Sequence, residues 1–333
     1  MNPELPSPRG PLTTCLFEVL RAPVSASDAP PGGESADPLA DDDLQLALYV
    51  LYELHYRGFA GVDADWEWDP SLLALRAGLE RSFEAAVRAV AGPVDPVPGD
   101  VPDRLTDLLH DYNGPPLGRY LETQGTIEQF REVVVHRSAY QLKEADPHSW
   151  AIARLTGRAK VTLVEIQSDE YGGGRPERQH AVLFANTMDA LGLESAYGAY
   201  LDVIPGATLA TVNLMSLFGL HRRLRGAIVG HLALLEMDSS QPSRRYANAL
   251  RRLGYGPEAT DFYDEHVEAD AVHEALAAHD MAGALAVDEP ALAPDILFGA
   301  QALRALDERS AQPVYDAFMA GVSSLRSPLA VPA

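Results

Sequence analysis

The sequence predicts an all-α protein, and three observations support this fold class. Apolar residues recur at helical spacing over most of the 333 residues. No stretch sustains the period-two alternation that marks a half-buried β-strand. Prolines and glycines fall mainly between the periodic segments, where helices end. We therefore expect a helical bundle preceded by a smaller layer of helices.

Residues 1–43 are rich in proline, serine, glycine, alanine and aspartate, a composition that buries little apolar surface. We expect this segment to be largely disordered, apart from a short apolar patch at residues 16–20. Three aspartates at 41–43 mark the start of the first helix, expected from residue 44 to about residue 57. Acidic groups favour this position because they stabilise the positive end of the helix dipole.

Residues 44–125 are predicted to form an accessory helical region before the main domain. Pro70 suits the first turn of a second helix, which we expect to run to about residue 90. Residues 92–100 contain three prolines and two glycines, a composition that predicts a linker.

The main domain is predicted to span residues 126–326, followed by a short tail at 327–333. Pro147 and the glycines at 172–174 interrupt its periodic pattern, because proline ends helices and glycine permits sharp turns. Beyond the linker, helices are predicted at 103–112, 127–145, 148–171, 176–191, 194–203, 207–238 (with a break near Gly219 as an alternative), 241–253, 257–281, 290–307 and 310–325.

The formal net charge of −22 at pH 7 disfavours binding to nucleic acid or to an anionic membrane surface, because like charges repel. No run of 18 apolar residues occurs, so we expect no membrane-spanning helix. The first residues lack the basic start and apolar segment of a secretory signal, which favours a cytoplasmic protein.

The single cysteine, Cys15, excludes an internal disulfide and a cysteine-ligated zinc or iron–sulfur site.

The strongest chemical signal lies in residues 264–274. His266, Asp270 and His273 are spaced at i, i+4 and i+7, which places them on one face of an α-helix. Two imidazoles and one carboxylate are typical ligands of a transition metal, and of non-haem iron in particular. Taken alone, the three residues are also compatible with a mononuclear iron or zinc site, or with Asp270 pairing with a histidine on a solvated face.

A second source of ligands is the acidic and histidine-rich stretch at residues 140–180. An inward-facing carboxylate on a bundle helix implies a metal or a basic partner, because burying it alone costs several kcal/mol. Spacing does not choose among the candidates, which are Glu144, Asp146, His148, Glu165, Asp169, Glu170, Glu177 and His180.

Six of these residues, taken in order, resemble the ligand pattern of the haem-oxygenase-like non-haem di-iron oxidases and oxygenases. The pattern consists of one glutamate, then Glu-x9-His, then His-x3-Asp-x2-His. The stretches at 143–150 and 169–174 are also similar to the subset described as iron-containing redox enzymes, and the resemblance covers roughly residues 126–326. The matching residues are Glu144, Glu170, His180, His266, Asp270 and His273.

This resemblance implies a haem-oxygenase-like helical bundle with an accessory N-terminal region. It implies that the same six residues are the metal ligands and the catalytic residues. Its cofactors would be two Fe²⁺ ions, with manganese as an alternative at one position, and O2 would be the co-substrate. The substrate class is a small amine- or acid-bearing metabolite of specialised metabolism. The reactions implied are N-oxygenation, desaturation and oxidative C–C cleavage. An external electron donor and a homodimer remain open as partners.

Three further features leave alternatives open. Asp169 is interpreted as a solvated acid or a partner of a ligand rather than a ligand. Tyr140, one turn before Glu144, either bonds a ligand carboxylate or belongs to the core. Glu236 and His231 are interpreted as a polar pair on an apolar helix, either lining a cavity or bonded to each other.

The alternative function is a haem-binding or carrier protein of the same fold without a di-metal centre. Haem would need an axial histidine and basic groups for its propionates, which the basic cluster at residues 221–225 offers.

Overall fold

The computed structural model describes residues 2–24, 35–94 and 101–329, and residues 269–272 only as part of their helix. Over these ranges the chain forms helices and turns without a strand, so the all-α prediction is confirmed. None of the described helices is long and apolar enough to cross a membrane. The α-helices are α1 Pro11–Arg21, α2 Asp42–Glu53, α3 Pro70–Ala91, α4 Val101–His110, α5 Leu117–Thr123, α6 Ile127–Gln141, α7 Asp146–Ser149, α8 Gly157–Glu170, α9 His180–Ala190, α10 Gly206–Leu220, α11 Arg225–Arg252, α12 Pro257–Ala275, α13 Ala284–Asp288 and α14 Ala293–Ala320.

The N-terminal segment differs from the disorder that its composition predicts. Helix α1 folds within it and buries Leu16, Phe17 and Leu20, which belong to the short apolar patch. The carboxylate of Asp43 accepts hydrogen bonds from two backbone amides of the first turn of α1. An amphipathic patch and a cap supplied by the next helix therefore order this stretch. Residues 25–34, also predicted as disordered, lie outside the described residues.

Several predicted helix boundaries are wrong. Residues 194–203, predicted as a helix, form turns. The predicted helix at 148–171 is divided into α7 and α8, and a positive φ of 60° at Gly157 separates them. Conversely, α11 and α14 continue across residues 239–240 and 308–309, where the sequence predicts breaks, and they also contain Pro242 and Pro313. Proline removes one helical hydrogen bond, but packing along both sides of a long helix outweighs that local loss.

Helix α11 lies at the centre of the bundle, where it packs against α14 on one side and α12 on the other. Its contact with α14 is a close approach of two backbones. A Cβ atom added to Gly230 would lie 1.7 Å from the Ile296 carbonyl oxygen, and one added to Gly299 would lie 1.9 Å from that of Ala227. Only glycine fits at these two positions. The two helices can cross this closely because Gly230 and Gly299 have no side chain.

The N-terminal helices share a hydrophobic core with the bundle. Helix α2 packs against α10, and α3 packs against α14. Buried side chains of this region, such as Phe83 and Val87, belong to the same apolar cluster as Phe218 and Ile296 of the bundle. The division at residue 126 into an accessory region and a main domain stays a prediction, while the packing across it is continuous.

Candidate metal centre

Four structural elements bring the histidines and glutamates predicted from the sequence to the middle of the bundle. Glu144 lies in the turn between α6 and α7, and Glu170 is the last residue of α8. His180 is the first residue of α9, and α12 carries His266 and His273. The turn between Glu170 and His180 needs the glycines at 172–174, because all three have positive φ values of 57–83°.

One group of ligand atoms comes from Glu144, Glu170, His180 and His266, which are all buried. Their atoms lie within 4.8 Å of one another. The Nδ1 atom of His180 is 2.9 Å from Glu170 Oε2 and 3.9 Å from Glu144 Oε2. The Nε2 atom of His266 is 3.5 Å from Glu144 Oε1. Ligands about 2 Å from a shared ion have separations of this size.

A second group consists of Glu170, Glu236 and His273, again buried and within 4.8 Å of one another. The Nδ1 atom of His273 lies 3.2 Å from Glu236 Oε2. Glu170 belongs to both groups, so the two clusters are contiguous. A carboxylate has two oxygens and can therefore serve two neighbouring ions at once.

Two buried atoms of the first group test whether the residues fit a metal ion. Glu170 Oε2 and His180 Nδ1 lie close enough for a hydrogen bond, but neither has a partner with acceptable geometry in the described part of the chain. Buried polar atoms are rarely left unpaired, because each such atom costs about 1–3 kcal/mol. A cation between them would satisfy both lone pairs, so the donor set fits a metal.

His266 has the support expected of a metal-binding histidine. Its Nδ1 atom lies 2.7 Å from the carbonyl oxygen of Phe262, one turn earlier on α12. When Nδ1–H donates to this carbonyl, the neutral ring carries its lone pair on Nε2, which is the atom that faces Glu144. The backbone of α12 therefore selects the tautomer and fixes the orientation of the ring.

The carboxylate of Glu144 is supported from the preceding turn. With its NH2 group turned toward the carboxylate, Gln141 donates hydrogen bonds to Glu144 Oε1 and Oε2 at 2.5 and 3.1 Å. Tyr140, which precedes Gln141 on α6, has no hydrogen bond to a ligand carboxylate among the described residues. Burial raises the pKa of its phenol, and Glu144, Glu170 and Glu236 raise it further, so Tyr140 stays neutral.

Neighbouring side chains shift the pKa values of Glu170 and His273. Burial alone would raise the pKa of Glu170, but the facing imidazoles, His180 foremost, lower it below its usual value. Burial lowers the pKa of His273, but hydrogen bonds to Glu236 and Asp169 raise it to about 9. Before a metal binds, His273 is thus an imidazolium near neutral pH and pairs with Glu236 and Asp169.

Asp169 lies beside the centre. Its Oδ2 atom is 3.0 Å from Nε2 of His273, and its side chain is 56 % exposed. The structure thus places it as a partner of a histidine at the solvent edge, in agreement with the sequence interpretation. Asp270 occupies α12, but its side chain lies outside the described residues.

The remaining sequence candidates are not part of either group. Glu165 and Glu177 are exposed, and Asp146 accepts a hydrogen bond from Tyr171. His148 Nε2 lies 3.2 Å from His231 Nδ1 in a buried pair.

A bond between His231 and Glu236, one of the two interpretations of this pair, is therefore wrong, because residues five apart do not share a helix face. Glu236 is instead the residue that sequence reasoning missed as a ligand candidate. Its signal is a glutamate in an otherwise apolar stretch of α11.

The basic cluster that the haem alternative would use is already engaged with acids. His221 Nε2 lies 3.0 Å from Glu80, and Arg223 pairs with Glu84 at the protein surface. Arg225 pairs with Glu289.

Comparisons with known proteins identify a family, a relative and a solved structure that are similar to this chain. The family described as iron-containing redox enzyme matches residues 131–308. A nitrosourea synthase from Streptomyces achromogenes subsp. streptozoticus is 27 % identical over 168 residues, covering 50 % of this chain and 36 % of that protein. The chain thus matches about a third of that relative's length. A solved domain of unknown function with a heme oxygenase-like fold, from Shewanella denitrificans OS217, has a TM-score of 0.48 at 14 % identity. It covers 74 % of this chain and 96 % of that one.

The matched family region covers more than half of the chain and includes every ligand candidate from Glu144 to His273. The matched family is also the one that the order and spacing of the six ligand candidates resemble. This chain therefore belongs to the family of iron-containing redox enzymes, and it carries a buried glutamate and histidine cluster compatible with iron.

Proposed function

We propose that this protein is an O2-activating di-iron oxidoreductase that acts on a small amine- or acid-bearing metabolite of specialised metabolism. The observation that carries the proposal is the position of Glu170 in two contiguous buried ligand groups. A single ion needs only one such group, whereas two neighbouring groups that share a carboxylate suit two ions.

One ion would be held by Glu144, Glu170, His180 and His266. The other would be held by Glu170, Glu236 and His273, together with Asp270, which the motif pattern assigns. Four carboxylates neutralise the four positive charges of two Fe²⁺ ions, which removes the electrostatic cost of burying them. Oxygen and imidazole ligands suit iron, and manganese is an alternative at one position.

When bound, two Fe²⁺ ions would supply electrons and open coordination positions for the reduction of O2, and an external electron donor would return the oxidised ions to Fe²⁺. The protein contributes a buried site that limits access of water, and the facing imidazoles keep the Glu170 carboxylate ionised. Asp169 holds Nε2 of His273 from the solvent edge, which orients the ring. Among N-oxygenation, desaturation and oxidative C–C cleavage, similarity to a nitrosourea synthase favours N-oxygenation, because a nitroso group contains an N–O bond.

Metal loading tests the proposal. The metal-free protein is titrated with Fe²⁺ without oxygen, and the tightly bound iron is counted. Wild type should bind two ions per chain, and the Glu170→Ala, His266→Ala double variant should bind none tightly. Glu165→Ala removes an exposed carboxylate from the same helix as Glu170 and should behave as wild type. Equal iron contents in wild type and the double variant would contradict the proposal.

A further inference from the structure

The end of helix α2 reaches the segment that carries Glu144. Glu53, the last residue of α2, is fully buried, and Lys143 is 2 % exposed. The Lys143 Nζ atom lies 2.9 Å from Glu53 Oε2. Lys143 immediately precedes Glu144, so a buried ion pair joins the N-terminal helices to a metal-ligand candidate. Neither Glu53 nor Lys143 belongs to the two ligand groups found among the described residues.

Tyrosines enclose the ammonium group. The Nζ atom of Lys143 lies 4.2 Å from the ring centre of Tyr56 and 5.0 Å from that of Tyr49. Tyr197 donates a hydrogen bond of 2.6 Å to Glu53 Oε2, the same oxygen that faces Lys143. Aromatic faces attract cations, and the hydrogen bond stabilises the carboxylate, so both buried charges are compensated.

Arg57 holds the same segment from a second direction. Its Nη2 atom donates to the Leu142 carbonyl oxygen at 3.2 Å and lies 3.6 Å from Asp146 Oδ2. The guanidinium also lies over the ring of Tyr197, 4.4 Å from its centre. Residues on both sides of Glu144 are thus tied to the end of α2 and to the turn that follows it.

The segment needs such support, because residues 142–145 form turns rather than a regular helix. Two of its backbone hydrogen bonds span three residues, from Lys143 N to Tyr140 O and from Asp146 N to Lys143 O, both at 2.9 Å. Turns of this kind are less rigid than a continuous helical ladder. The position of Glu144 therefore depends on what the segment packs against.

We propose that Glu53, Arg57 and Lys143, which we call the α2 anchor, position Glu144 for metal binding. The N-terminal helices then contribute to metal binding, because they hold Glu144 in position. The inference rests on the proposed function, because it assumes that Glu144 binds a metal. Residues that orient metal ligands typically change metal affinity by about 10–100-fold when removed, and the anchor acts in this way.

The test uses the full-length protein and a variant that removes the ion pair without leaving a lone buried charge. In Glu53→Gln, Lys143→Met, the amide still accepts from Tyr197 and the methionine fills the space of the lysine. Metal-free protein is titrated anaerobically with Fe²⁺, and its thermal unfolding is recorded separately. The expected result is an affinity for at least one ion that is lower by about 10–100-fold.

A matched control weakens α2 without touching residues 142–146. Asn213 donates hydrogen bonds to the carbonyl and side-chain oxygens of Gln45, at 2.8 and 2.7 Å, and so ties α2 to α10. Asn213→Ala should lower the unfolding temperature but keep wild-type affinity for both ions. If it loses as much affinity as the double variant, the loss reflects general destabilisation and the anchor is refuted.

A second variant covers the case in which the double variant fails to fold. Arg57→Leu removes a side chain that is 43 % exposed, so it leaves no buried charge unpaired. It should fold and bind at least one ion several-fold more weakly. Wild-type affinity in this variant and in the folded double variant would overturn the anchor alone. A wild type that binds no iron would instead refute the proposed function.

Discussion

Glu170 occupies the point at which the two ligand groups meet, so its carboxylate differs in role from the others. Removing it affects both groups, whereas removing Glu144 or Glu236 affects one group each. Its pKa is lowered by the histidines against the effect of burial, which keeps it ionised and ready to receive cations. A single residue of this kind makes the two ion positions interdependent.

Glu236→Ala should therefore convert a two-ion site into a one-ion site. The group of Glu144, Glu170, His180 and His266 keeps all its members in this variant, so one Fe²⁺ should still bind tightly. Iron counted after anaerobic loading and desalting measures the outcome. Glu165→Ala is the control, because that glutamate is exposed on α8. Retention of two ions in Glu236→Ala would show that Glu236 is not a ligand.

His136, a buried histidine outside both ligand groups, gives a prediction about pH. His136 is bonded to the hydroxyls of Thr208 and Ser324, at 2.8 and 3.0 Å, and burial lowers its pKa to about 4. Between pH 6.5, the pKa of histidine in the unfolded chain, and pH 4, this side chain binds a proton in the unfolded state but not in the folded state. The free energy of unfolding should thus fall by about 3 kcal/mol from this residue as the pH drops from 6.5 to 4.

His136→Gln should flatten this decline, because glutamine does not titrate. Urea unfolding of metal-free protein at pH 7 and at several values down to pH 4 would measure it. His110, an exposed histidine at the end of α4, provides the control variant His110→Gln, which should keep the wild-type slope. An unchanged slope in His136→Gln would mean that His136 does not carry the effect.

At the scale of elements, the crossing of α11 and α14 supports the site. Helix α11 carries Glu236 and packs against α12, which carries His266 and His273. The glycines Gly230 and Gly299 let α11 and α14 touch through their backbones. A displacement of α11 would therefore separate Glu236 from its neighbours in the centre.

Gly230→Ala should destabilise the fold by about 3 kcal/mol, because its Cβ would meet the Ile296 carbonyl oxygen at 1.7 Å. It should also weaken binding of the ion that uses Glu236. Thermal unfolding and Fe²⁺ titration measure the two effects. Gly78→Ala on α3 is the matched control, because its nearest neighbouring atom would be 3.8 Å away, and it should be neutral or slightly stabilising. Similar effects of the two substitutions would contradict the role of the crossing.

At the scale of the whole molecule, the N-terminal helices and the bundle depend on each other. They share an apolar cluster, and the end of α2 reaches the Glu144 segment. The bundle would present a large apolar surface if these helices were removed, because α2 and α3 cover parts of α10 and α14. The chain should therefore behave as one cooperative unit.

A fragment of residues 126–333 should consequently aggregate or remain partly unfolded. Exposure of the surfaces that now contact Phe83 and Val87 removes apolar burial from the bundle. Size-exclusion chromatography and urea unfolding followed by circular dichroism would test this expectation. A monomeric fragment with a single cooperative transition would show that the bundle is an independent domain, as the sequence division at residue 126 predicts.

Local features of the site follow from the sequence. His266 and His273 lie one above the other because helical periodicity alone sets their spacing. The turn between Glu170 and His180 follows from three glycines with positive φ. The fold class also follows, since helical periodicity extends over most of the chain. These properties depend on residues close together in sequence, so a linear pattern records them.

Tertiary packing decided the rest. Glu236 joins the centre only because α11 packs against α12, and no spacing rule connects residues 236 and 273. Glu53 meets Lys143 across 90 positions. Helices α11 and α14 continue through their prolines because both pack along their lengths. Contacts between distant segments depend on which faces pack together, so the sequence predicts the ligand-bearing elements, and the tertiary structure decides which residues complete the centre.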